Sequence, residues 1–129
     1  MEAFVMSMFT DARLLVTGSR CWIDIDTIWH ALRMFRSQCS NQPTLICGHC
    51  PTGADAIAEH AAKELGYTLE LYPAEWQRYR KRAGFIRNEV MVQSKPTHCF
   101  AFIVEHSRGA SHCLALANKA GIPTKDFRC

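Results

Sequence analysis

The stretch ICGHCPTGAD, residues 46–55, places Cys47, His49, Cys50, two glycines and Asp55 within ten positions. Thiols and an imidazole at that spacing could ligate a metal. Glycines beside Thr52 could instead turn the chain so that backbone amides meet a phosphate. A structural zinc site wants four ligands, and no second pair of the same kind exists: His98-Cys99 and His112-Cys113 are adjacent pairs, whose side chains point apart on a strand or helix. Cys47 also ends an apolar run, where cysteine serves as a small hydrophobe. The six histidines contain no H-x-x-x-H pair, so histidine-based metal catalysis finds no support. No metal and no cofactor is expected, and the phosphate reading is the one to pursue.

Two further loops share that chemistry. Gly18-Ser19-Arg20 and Ser107-Arg108-Gly109 each set glycine beside serine and arginine, and both precede amphipathic helical patterns. Free amides and the positive dipole end of a helix favour an anion by roughly 0.3–2 kcal/mol. Micromolar affinity needs about 8 kcal/mol, so several loops must converge and arginines must add bidentate contacts.

The elements that would bring them together follow from the apolar periodicity. Strands are expected at 13–18, 44–48, 68–73 and 98–104, with a short fifth near 122–125. After the first strand, Asp24 is placed to cap a helix with Ile25, Ile28, Trp29, Leu32 and Phe35 on one face. Thr52 and Asp55 form a capping-box pattern before an alanine-rich helix that Gly66 would stop. Residues 83–93 predict a helix with Ile86, Val90 and Gln93 in line and Phe85 nearby. Residues 109–123 predict another, with Leu114, Ala117 and Ala120 inward and Gly121 as terminator. Residues 73–83, PAEWQRYRKRA, are too polar and aromatic for core and are expected to be irregular. Strand and helix alternate without hairpin signals, so the fold class expected is α/β: a three-layer, doubly wound, mainly parallel sheet of about five strands, Rossmann-like. In such a sheet every loop leaving a carboxyl strand end lies on one edge, where ligands bind.

With 129 residues, 48% hydrophobic and 21% charged, the chain has the composition of one folded domain, read as 13–129 behind an N-terminal extension at 1–12. Seven cysteines without a regular framework argue for a reducing compartment, the cytoplasm by default. No leader pattern and no span long enough for a bilayer is read, so no membrane partner is expected. The net charge of +3 is mild, but Arg78, Arg80, Lys81, Arg82 and Arg87 fall within ten positions. Basic residues among aromatics suit a nucleic-acid backbone or a polyphosphate alike.

TGSR (17–20) with Trp22 and Asp24, G-x-x-x-x-GAD (48–55), PAEW (73–76), AGFIRNEVM (83–91), AF (101–102), SRGA (107–110) and AGIP (120–123) together resemble the YspA-like, cpYpsA-related branch of the SLOG superfamily. The resemblance runs from about residue 13 to 124, and PAxW followed by AGxxRN is its most specific part. It implies a Rossmann-like domain, found in bacteria and their phages, that binds a nucleotide-derived ligand. The residues it implies are Gly18, Ser19 and Arg20 for phosphate; Gly48, Gly53 and Asp55 for a second contact, Asp55 toward a ribose hydroxyl; Arg87 and Asn88; and Ser107, Arg108 and Gly109 as a second phosphate loop. Trp76 is added as an aromatic platform for a base.

The same superfamily includes the Lonely-guy phosphoribohydrolases and the DNA-processing protein DprA. Against the former, this chain reads GASHC where the family pattern has a catalytic glutamate, so His112 or Cys113 stands in its place and the catalytic residues are unknown. The family's usual glycine after Tyr79 is replaced by Arg80. Three functions follow: sensing or sequestering a phosphorylated nucleotide derivative, hydrolysis of its N-glycosidic or phosphate bond, and single-stranded nucleic-acid binding. A second copy of the chain is left open as a partner.

Overall fold

The computed structural model describes residues 8–105 and 107–129. Five strands, β1 (Arg13–Gly18), β2 (Thr44–Cys47), β3 (Thr68–Leu71), β4 (His98–Ile103) and β5 (Thr124–Arg128), form one parallel sheet in the order β3-β2-β1-β4-β5. The connecting helices are α1 (Ile25–Ser37), α2 (Gly53–Leu65), a short α3 (Trp76–Tyr79), α4 (Ala83–Gln93) and α5 (Arg108–Lys119). The chain winds outward from β1 through β2 to β3, then returns past β1 to β4. Direction therefore reverses between β1 and β4, the point at which doubly wound sheets open a crevice.

Alternation along each strand builds two cores. Leu14, Val16, Leu45, Cys47 and Phe102 point to the α1–α2 face, where Ile28, Leu32, Phe35, Ala54, Ala58, Ala61 and Ala62 meet them. Leu15, Ile46 and Cys99 point to the α4–α5 face with Met91, Cys113 and Ala117, beside Ala101, Ile103 and Ala110. Small residues on both partners, Cys99 and Ala101 on β4 and Ala110, Cys113 and Ala117 on α5, let helix and sheet approach closely. At the amino end of the sheet, Arg13 forms a bidentate pair with Glu70 (3.0 and 2.8 Å) and also donates to the Ser94 carbonyl, tying β1, β3 and the end of α4.

Several helix details differ from expectation. Asp24 does cap α1, accepting from the Thr27 amide, but Ile25 is exposed and Ala31 joins the buried face. Thr52 occupies the cap position of α2 without a side-chain bond to it, and Asp55 reaches back to the Cys50 amide instead of closing a capping box. In α4 the buried residues are Ala83, Asn88 and Met91, whereas Val90, Gln93 and Phe85 are exposed. The reason is that α4 meets α5 and the cavity rather than the sheet alone, so a hydrogen-bonded asparagine occupies its inner face. In α5, Cys113 and Ala117 are inward with Leu114 half-buried, and Ala120 is exposed. Residues 73–83 are partly ordered as helix: α3 leads through a 3-10 turn (Arg80–Arg82) into α4. The fifth strand begins two residues later than expected and continues to Arg128.

Residues 1–7 of the expected extension lie outside the described residues. Of the rest, Phe9 stacks on Phe35 (5.3 Å between ring centroids) and Ala12 is buried in the core.

Arg80 has φ +54° and ψ −128°, a conformation that a β-carbon disfavours and glycine adopts freely. Arg80→Gly is therefore expected to stabilise the fold by about 1 kcal/mol, while Arg80→Ala, which keeps the β-carbon, leaves the strain. Urea unfolding midpoints of the two variants check this, and equal midpoints would contradict it.

Candidate functional site

The loops leaving β1 and β4 part at the point where the sheet reverses direction, and Ser19 fixes their separation. Its amide donates to the Phe102 carbonyl (2.9 Å), and its hydroxyl oxygen accepts from the Val104 amide (2.7 Å). Its carbonyl accepts from the Trp22 and Ala54 amides (3.2 and 3.1 Å). One buried residue thus joins β1, β4 and the start of α2. Gly53 makes that junction possible: its φ is +71°, and a β-carbon there would fall 2.3 Å from the Ser19 carbonyl oxygen.

Between these loops lies a cavity of about 590 Å³. Gly18, Ser19, Arg20, Asp55, Trp76, Arg87, Asn88, Ser107, Arg108 and Gly109 all line it. Gly48 lines a smaller neighbouring cavity, and Gly53 lines neither, lying behind Ser19. The larger cavity also contains residues that the sequence did not single out for it, among them Thr17, Cys21, Cys50, Lys81, Phe85, Met91 and Glu105. A signal for Lys81 existed in the basic run, and Thr17 and Met91 lie within the TGSR and AGFIRNEVM stretches that carry the family resemblance.

Arg87 is held before any ligand arrives. Its Nη1 donates to the Gly48 carbonyl (2.8 Å) and its Nε to Asn88 Oδ1 (3.0 Å), and neither bond uses Nη2. A β-carbon at Gly48 would sit 2.1 Å from Arg87 Nη1, so the guanidinium requires glycine there. Because Arg87 Nε can only donate, Asn88 Oδ1 is the acceptor and Nδ2 the donor. Nδ2 in turn reaches the Gly109 carbonyl (3.2 Å) and His112 Nδ1 (3.2 Å). His112 is thereby an acceptor at Nδ1 and, when neutral, carries its proton on Nε2; its ring lies 4.4 Å from that of Phe85. Gly48, Arg87, Asn88 and Gly109 form one chain of contacts spanning the cavity from the β2 loop to the β4 loop.

The two helix ends at this edge differ. At α2, the Ala54 amide is bonded to Ser19, and Asp55 brings a carboxylate into the first turn. At α5, Ser107 is the cap residue, makes no side-chain capping bond, and is followed by Arg108 and Gly109, both exposed. First-turn amides have no intrahelical acceptor; at α2 one of them is used on Ser19, and at α5 they adjoin the cavity that Ser107–Ala110 line. Arg20, Lys81, Arg87 and Arg108 surround the same cavity. Arg20 lies over the Trp76 ring, 5.3 Å from its centroid, a cation–π contact that orients both groups.

Asp55 is buried, and that burial pushes its carboxyl up to about 6 even though the Cys50 amide and Arg87 favour the charged form. Cys47 is likewise pushed up to about 12 by burial, as expected of a thiol packed in the core. Among the described residues no group of three or more His, Cys, Asp or Glu is placed to hold a metal ion. Also among them, no helix is long and apolar enough to cross a membrane.

The family model YAcAr, YspA, cpYpsA-related SLOG, matches residues 12–79, more than half of the chain. Gene 61 protein of Mycobacterium phage D29 is 38% identical over 120 residues, covering 89% of this chain and 95% of that protein. Two crystal structures of the C-terminal domain of PF1911 hydrogenase from Pyrococcus furiosus share the fold, each with a TM-score of 0.52, at 11% and 12% identity. Each covers more than nine-tenths of both chains.

Asp55 supplies a test of this geometry. Its folded-state value lies above the ordinary 3.8, so the folded chain binds the proton more tightly. The resulting stability is full below about 4 and is lost as pH rises through about 6. Asp55→Asn removes that loss while keeping an acceptor for Cys50. Relative to wild type, the variant should gain on the order of 1–3 kcal/mol between pH 5 and 7.5, read from unfolding midpoints; a constant difference across that range would refute the buried carboxylate.

Proposed function

Because the chain belongs to the YspA, cpYpsA-related SLOG family, we propose that its cavity binds a nucleotide-derived, phosphorylated small molecule, and that the protein senses or sequesters it. The observation that carries this reading is the convergence of the α5 amide end with Arg20, Lys81, Arg87 and Arg108 on one cavity at the point where the sheet reverses direction. Its volume of about 590 Å³ falls in the range of small-molecule sites. Phosphate would lie on Ser107–Gly109 with Arg108 and Arg87, and Trp76 and Phe85 offer aromatic faces to a base.

The arrangement favours binding over hydrolysis. Breaking an N-glycosidic bond calls for a carboxylate at the cationic sugar. Asp55, which accepts from the Cys50 amide beside Arg87, and Glu105 both line the cavity, but neither stands at the position of the Lonely-guy glutamate, where this chain has His112 or Cys113. Of the basic run, Lys81 and Arg87 line the cavity, while Arg78, Arg80 and Arg82 are exposed outside it. The two at the cavity support a small anion as its ligand. Seven unpaired thiols fit a reducing compartment.

Nucleoside mono- and diphosphates added at a hundred times their dissociation constant should raise the unfolding temperature, by on the order of 10 °C for a domain of this size, with no new product by chromatography. Arg87→Ala and Arg108→Ala should each weaken binding about tenfold, and the effect should shrink with added salt. Absence of any shift would defeat the proposal; turnover abolished by Asp55→Asn would replace it with the hydrolase.

A further inference from the structure

β5 ends the sheet on one side, and among the described residues no other strand pairs with its outer edge. Its inner edge is fixed. The Pro123 carbonyl accepts from the Cys99 amide (2.9 Å), and the Cys129 amide donates to the Ile103 carbonyl (3.1 Å). Backbone groups alternate sides along a paired strand, so Lys125 and Phe127 also turn theirs to β4, whereas Thr124, Asp126 and Arg128 turn theirs outward. Such an edge is a template for another strand, and charged side chains are the common guard against it. Here the guards are Lys125, Asp126 and Arg128, all exposed. They repel most strands and leave room for one that complements them.

Two identical edges close on each other only about a two-fold axis, which makes the pairing antiparallel. Each position of the axis sets different side chains opposite one another. On Asp126 it opposes two carboxylates, on Lys125 two ammonium groups and on Arg128 two guanidiniums, and like charges directly opposite destabilise a strand pair. On Thr124 the ladder would run into Ile122, whose amide is already bonded to the Ala117 carbonyl. An axis between residues would match an outward-facing residue with an inward-facing one and form no ladder. On Phe127 the axis sets Asp126 of each copy opposite Arg128 of the other. Both are outward-facing, so each pair can exchange amide and carbonyl bonds. Phe127 then takes the position without hydrogen bonds, where opposed side chains come closest. Its ring is already held, stacked on Phe102 (4.6 Å between centroids) and edge-on to Phe100 (5.6 Å).

We infer that two copies of the chain associate through β5, antiparallel about Phe127, and join their sheets into one. Asp126 and Arg128, which within one chain pair with each other at 2.8 Å, gain a second partner across the strands. Because the paired strands run in opposite directions, the two cavities open on opposite edges of the joined sheet, and neither copy covers the other's site.

Sedimentation equilibrium of the full chain tests this, in reducing buffer so that the exposed thiols of Cys21 and Cys129 cannot link copies. A small interface should dimerise only as the concentration reaches the micromolar range or above. Asp126→Arg gathers arginines at the interface and Arg128→Asp gathers carboxylates, so each should weaken self-association by about tenfold or more. Circular dichroism should stay unchanged, since both positions are exposed. The two variants mixed in equal amounts should associate again, because the arginines of one then face the aspartates of the other. The double exchange, Asp126→Arg with Arg128→Asp, should dimerise by itself. A chain that stays monomeric into the millimolar range, single variants that associate as wild type does, or a mixture that recovers nothing would each overturn the inference.

Discussion

The site depends on one buried serine. A doubly wound sheet parts its loops where the strand order reverses, but parting alone gives a gap, not a shaped cavity. Ser19 sets its dimensions by bonding with backbone groups of Phe102, Val104, Trp22 and Ala54 at once. Four such bonds in a buried place, each costly to leave unmade, make the carboxyl edges of β1 and β4 and the start of α2 a single rigid unit. Arg87 and Asn88 then close the opposite side by joining Gly48 to Gly109. The cationic groups consequently stand on a frame that exists without a ligand, and binding need not order them.

Charge is arranged unevenly along that frame. The α2 end carries its own carboxylate, held at a raised affinity for protons by burial, whereas the α5 end carries Arg108 and free first-turn amides. An anion in the cavity would therefore be favoured nearer Arg108 and Arg87 than beside the Asp55 carboxylate.

The fold was largely legible because its signals are local: apolar runs, caps at Asp24, and glycine stops at Gly66 and Gly121, both left-handed in the structure. Helix faces were less so. In α4 the spacing of Ile86 and Val90 suggested an inner face, yet Asn88 and Met91 are buried there. Amphipathic periodicity assumes that inward means apolar, and it fails where a polar side chain is satisfied by three partners. The capping box failed for a related reason, since the Asp55 carboxylate found the Cys50 amide within reach before the helix cap.

By itself the sequence determined the alternation of strands and helices, the family, and which loops share an edge, because these follow from periodicity and from the parallel connection rule. Only the tertiary structure decided which groups at that edge face a ligand and which hold the frame. Gly18-Ser19-Arg20 and Ser107-Arg108-Gly109 look alike in sequence, yet Ser19 is bonded to backbone groups of Phe102, Val104, Trp22 and Ala54 whereas Ser107 makes no side-chain capping bond. That difference is set by packing between segments far apart in the chain, and no local pattern of residues encodes it.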